Sequence, residues 1–177
     1  MVCPVRLPLA FVILPLMAFV PIWACSDSAK AKWDYPVRLG ITRDSAHALL
    51  GLPDPNGPSG HDVEWFPSSG ISVSYDAGNR VREIHLRGNW GNKDWIPARS
   101  NVVSGVTPQT PYAEIVQRLG PPLRTDSTWV EEGYLEYTWR LAGVRLTAEV
   151  WARDYSDGGT VYRTGTTRFL TAAPAVE

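Results

Sequence analysis

Three histidines, two cysteines and a few neighbouring carboxylates are the side chains of this 177-residue chain best suited by type to chemistry. Acid–base catalysis needs a base within hydrogen-bond reach of its proton donor. The nearest approaches are His61-Asp62 and Glu83-x-His85, and each reads as polar surface residues, on a loop and on a strand. His47 falls on an expected helix. His85 faces away from its apolar neighbours Ile84 and Leu86. Glu131 and Glu132 are adjacent, so on an extended strand they point to opposite faces. No His-x-x-x-His, His-Glu-x-x-His or cysteine cluster offers a metal site. Gly57-Pro58-Ser59-Gly60 lacks the spacing of a nucleophile elbow, and Gly88-Asn89-Trp90-Gly91 is no phosphate loop. The expectation is a non-catalytic protein without metal or cofactor. A wall-directed enzyme with an unfamiliar site is the alternative, and Glu83 and His85, or Glu131, would then be essential.

Cysteine chemistry points to the membrane instead. Cys3 lies in an apolar leader, Cys25 stands at its end, and no cysteine follows. A disulfide within the mature chain is therefore excluded. Residues 1–24 have one early charge, Arg6, followed by an uncharged run from Leu7 to Ala24. That is the pattern of an export signal. Pro8, Pro15 and Pro21 weaken the competing reading of a retained membrane helix. Ile22-Trp23-Ala24-Cys25 resembles a bacterial lipobox, although Trp23 replaces the usual small residue. The resemblance implies acylation of the Cys25 thiol, palmitate being a typical chain. Ser26 after the cysteine implies an outer-membrane, periplasm-facing address. A secreted or soluble periplasmic form is the alternative.

The bulk numbers narrow the partners. Net charge is −1 with both signs interspersed, so nucleic acid is not an expected partner. Apolar residues make up 44% of the chain, enough for a folded core. Residues 25–36 are short and polar, as in a lipidated tether.

Beyond the tether the chain repeats itself. Gly40-Ile41-Thr42 leads to Leu50-Gly51-Leu52-Pro53, and Gly105-Val106-Thr107 leads to Leu119-Gly120-Pro121-Pro122. Glu64-Trp65 and Gly70-Ile71-Ser72-Val73 correspond in order to Glu136-Tyr137 and Gly143-Val144-Arg145-Leu146. Thr42 and Thr110 are expected helix caps, with Pro111 at the first helical position. Gly51 and Gly120 end short helices of about ten residues. Alternation marks strands at Val63–Phe66, Ile71–Tyr75, Arg80–Leu86, and along two runs of the second copy. Leu135, Tyr137, Trp139 and Leu141 share one face, and Glu136, Thr138 and Arg140 the other. Val144, Leu146, Ala148 and Val150 continue the dry face. Ser156-Asp157-Gly158-Gly159 then turns the chain into Thr160–Phe169. The expected fold is α+β over residues 37–170. It has two tandem helix-then-antiparallel-sheet units, about 37–87 and 105–170, with the helices on one face. Residues 87–104 join the units, and 171–177 form a loose tail.

The ordered set of leader, lipobox-like cysteine, tether, Gly-x-Thr, helix, Leu-Gly-x-Pro and hairpin resembles the SmpA/OmlA-type outer-membrane lipoproteins. Those are accessory subunits of the β-barrel assembly machinery. Used twice in tandem, the unit is also similar to the β-lactamase inhibitor protein. Both resemblances imply protein binding without catalysis.

Tryptophan and arginine concentrate in protein interfaces. Trp65, Trp139 and Trp129 are expected in the core. Trp90 and Trp95 lie in the polar linker, and Trp151 falls by parity on the wet face with Arg145 and Arg153. These five residues (Trp90, Trp95, Trp151, Arg145 and Arg153) are the expected contacts for an envelope protein, although the arginines could equally cover the Trp151 ring. Assembly or stabilisation of an envelope complex is the expected role, and inhibition of a secreted or periplasmic enzyme is the alternative.

Overall fold

A computed structural model describes residues 33–55, 57, 62–88, 98, 101–157 and 159–175. The expectations placed on Cys25, His61, Trp90 and Trp95 fall outside these residues.

The chain is α+β. Helix α1 spans Arg43–Leu50 and α2 spans Tyr112–Leu119. Strands β1 (Val63–Phe66), β2 (Ile71–Tyr75), β3 (Val81–Arg87), β4 (Arg124–Asp126), β5 (Tyr134–Leu141), β6 (Val144–Trp151) and β9 (Thr167–Pro174) form one antiparallel sheet. Its order is β1-β2-β3-β9-β6-β5-β4. A separate hairpin pairs β7 (Tyr155–Asp157) with β8 (Thr160–Tyr162).

Thr42 caps α1 as its type requires, accepting a hydrogen bond from the Ser45 N–H. In α2 the cap position falls on Pro111, one residue later than expected. The Thr110 hydroxyl instead accepts from the Thr107 N–H, which tightens the preceding turn. Both helices stop at glycines with φ of 85° and 80°, a region that costs other residues strain.

One face of the sheet is dry. Val73, Ile84, Leu86, Leu146, Ala148 and Leu170 are fully buried there. Ala46 of α1 and Ile115 and Leu119 of α2 join the same cluster, so both helices pack on this face. At eight residues each they depend on it, because isolated helices so short are marginal in water.

Three boundaries differ from the sequence reading. The tether gives way to folded chain earlier, since Trp33 bridges Val103 and Tyr35 and Val37 are core residues. These aromatic and branched side chains bury themselves despite polar neighbours. The tail is sheet as far as Pro174, because Ala172 is small enough to sit between Ile84 and Leu146 in the dry layer. The expected single run Thr160–Phe169 breaks into β8 and the start of β9, leaving β7–β8 as an extra hairpin. Among the described residues no helix is long and apolar enough to cross a membrane.

Candidate functional site on the outer face of the sheet

The face opposite the helices is built by the outward-pointing residues of each strand. On the β5–β6 hairpin the register sets them in cross-strand pairs of like type. Arg140 faces Arg145, Thr138 faces Thr147, Glu136 faces Glu149, and Tyr134 faces Trp151. The Thr level continues across the sheet, with Thr147 opposite Thr171, Thr171 opposite His85, and His85 opposite Ser72. The Glu level extends outward to Asp126 on β4. On β5–β6 the face is thus arginine-bearing at one end, neutral along its middle, and carboxylate-bearing then aromatic at the other, while Arg87 of β3 shares the carboxylate level, facing Phe169 as Glu149 does.

The aromatic end is where the structure corrects the sequence most. Parity does place Trp151 on the outer face, yet it is only 2% exposed. Hairpin β7–β8 folds back over it. Tyr155 stacks on Trp151 at 5.0 Å, and Tyr162 at 5.5 Å. Trp151, Tyr162 and Tyr134 form a second small core, and Trp151 is its floor rather than a contact residue. The Trp151 indole N–H is buried without a hydrogen-bond partner. Trp129, expected in the core, is instead 39% exposed and stacks on Tyr134 at 6.0 Å. Its turn, which also carries Glu131 and Glu132, is no strand, so those two carboxylates do not alternate across a sheet. The exposed rim is therefore Trp129, Val130, Tyr155 and Val161.

Arg168 fixes this end from below. Between β6 and β9 the register slips, Glu149 facing Phe169 and Val150 facing Thr167, so Arg168 is the extra residue of a bulge. A bulge re-aims its side chain. The Arg168 guanidinium lies 4.4 Å from the Tyr134 ring centre and 5.5 Å from that of Trp151. It also donates to Glu149 at 2.9 Å. Burial pushes the Glu149 carboxyl up, and Arg168 opposes that shift.

At the centre, His85 Nδ1 lies 3.1 Å from Thr171 Oγ1, and His85 Nε2 lies 3.5 Å from Glu83. Burial lowers the His85 pKa, while the Glu83 carboxylate pulls the other way. Carboxylate, imidazole and hydroxyl thus meet on the open face. Two cavities among the described residues lie elsewhere. One, of about 300 Å³, is lined by Thr42, Arg43, Asp44, Gly78 and Asn79, and a smaller apolar one involves Trp33 and Leu141. His47, on α1, is tied to Glu64 of β1 at 2.7 Å, away from His85. Among the described residues no group of three His, Cys, Asp or Glu side chains could hold a metal ion.

Of the expected contacts, Arg145 is exposed on the outer face and Arg153 is exposed with its guanidinium on the Glu131 carbonyl. Trp129 and Tyr155 are what sequence reasoning missed. Neither lies in a long alternating run that would fix its side, so only the hairpin packing reveals their exposure.

No known family matches the chain, and no curated protein matches it in sequence. Among solved structures it is similar to a DUF4309 family protein (YjgB) from Bacillus subtilis. Identity is 14%, the TM-score 0.47, and coverage 76% of this chain and 78% of that one.

Proposed function

We propose that this is an exported cell-envelope lipoprotein, anchored through Cys25 to the outer membrane and facing the periplasm, that works as a non-catalytic protein-binding module. The observation that carries the reading is the outer face, free of helices among the described residues and ending in an exposed Trp129–Val130–Tyr155–Val161 rim set over a packed aromatic floor. Exposed aromatic rings held by packing lose little freedom on binding and are the usual anchors of protein interfaces. The leader and the lipobox-like Cys25 support the address. Assembly or stabilisation of an envelope complex is the role this combination fits, in keeping with the resemblance to SmpA/OmlA-type lipoproteins.

The fold is also read as two tandem units. Sheet order supports this, since β1-β2-β3 meets β9-β6-β5 in reversed sequence. Each half ends its helix at a glycine of similar conformation. Each also carries an arginine as the extra residue of a bulge on its last strand, Arg82 opposite the Ser74–Tyr75 step and Arg168 opposite Glu149–Val150.

The test is capture of partners by the tagged protein from its own envelope in mild detergent, beside a Trp129→Ala, Tyr155→Ala variant. A specific partner held by the wild type and lost from the variant is the expected result. Equal retention by both would remove the rim from the interface.

A further inference from the structure

The like-with-like order on β5–β6 has an energetic cost. Like charges directly opposite one another on antiparallel strands are destabilising. The chain nonetheless sets Arg140 against Arg145 and Glu136 against Glu149. Both arginines are exposed, and both carboxylates remain partly accessible. Arg168 pairs with Glu149 and Arg124 with Asp126, which stands beside Glu136 as a third carboxylate, and Arg87 lies two strands from Glu149 on the same level. Four residues separate the arginine level from the glutamate level, which is about 14 Å along an antiparallel strand. The Thr138–Thr147 level lies midway between them.

We propose that this face docks on the same face of a second copy of the chain, related by a two-fold axis through the Thr138–Thr147 level. The inference rests on the reading of the outer face as a binding surface and names one of its occupants. A two-fold makes an interface in which each residue contacts its partner twice, once in each direction. It lays the arginine pair of one copy over the glutamate pair of the other at both ends. Because the spacing is identical in the two copies, one rotation sets opposite charges against each other at both ends. An unrelated partner would have to reproduce that spacing by itself. The uncharged threonines meet at the axis, where like faces like without repulsion. The aromatic rims, lying beyond the glutamate level, then project at opposite ends and stay available to other proteins. Anchoring both copies in one membrane would raise their effective concentration, so even a weak dimer would form there.

Sedimentation and light scattering of a chain beginning at Ser26 test this, since the buried core runs from Tyr35 to Ala173 and is kept whole. Wild type should associate reversibly and less strongly as salt is raised. Glu136→Arg and Arg145→Glu variants should each associate roughly a hundredfold more weakly, or not at all, when alone. Mixed together they should form a one-to-one dimer, because the arginine pair kept by the first variant can then lie over the glutamate pair kept by the second. A wild type that stays monomeric at its highest soluble concentration overturns the proposal. So does a dimer that neither reversal weakens. Partner capture through Trp129 and Tyr155 is read separately, so loss of the dimer leaves that function standing.

Discussion

His85 and Thr171 stand directly opposite one another on β3 and β9, with Nδ1 3.1 Å from Oγ1. The pairs around them are reciprocal, Ile84 facing Ala172 and Leu86 facing Leu170. If the two bulge arginines are aligned, His85 and Thr171 are equivalent positions of the proposed repeat, and Ile84 and Leu86 are equivalent to Leu170 and Ala172. The hydrogen bond would then sit on the internal two-fold of the sheet, tying the last strand of one half to that of the other.

Protonation of His85 should weaken the fold through burial of the charge, since the Thr171 hydroxyl can accept from the imidazolium as well as donate to the neutral ring. The folded His85 pKa lies below its ordinary value because burial disfavours the imidazolium. Below about pH 6.5 the unfolded chain therefore takes up a proton that the folded chain resists. Stability is expected to be full above that pH and to fall as pH drops below it, until folded His85 protonates as well. Urea titrations across this range should show a smaller decline for His85→Asn than for wild type.

Trp151 and Trp129 should separate stability from binding. Trp151→Ala empties the floor of the second core and is expected to cost about 3–5 kcal/mol in denaturant unfolding. Trp129→Ala removes an exposed ring and should cost less than about 1 kcal/mol while weakening partner capture. If Trp151→Ala unfolds at the wild-type midpoint, the second core is not structural.

Arg168→Ala should leave Glu149 partly buried without its counter-charge, at a cost of about 2 kcal/mol or more at neutral pH. The folded Glu149 pKa, already raised by burial, should then rise further. A raised folded pKa means stability is favoured at low pH and lost as pH climbs through that value. The gap between variant and wild type should therefore shrink on acidification. A gap that is constant with pH would assign the loss to ring packing alone.

Cys25→Ala should release the protein from the membrane fraction or leave its leader uncleaved. Unchanged membrane partition would contradict lipid anchoring.

Much of the fold is legible because burial and period agree along the chain. Thr42, Gly51 and Gly120 mark helix ends by local chemistry. Leu146, Ala148 and Val150 declare a dry face by alternation. What escapes is whatever depends on a second layer. Parity put Trp151 on the outer side correctly, but nothing in an alternating strand announces that β7–β8 folds over it. Arg168 escapes for a related reason. A bulge breaks the period by one residue, and the only trace in sequence is an arginine between Thr167 and Phe169 in a strand with no other charge.

The most direct test of the central claim is envelope capture with wild type beside the Trp129→Ala, Tyr155→Ala variant, followed by mass spectrometry of the retained proteins. A specific envelope partner held by the wild type and lost from a folded variant is the expected result. The same partners held equally by both, or none held by either, would contradict a binding module that works through the aromatic rim.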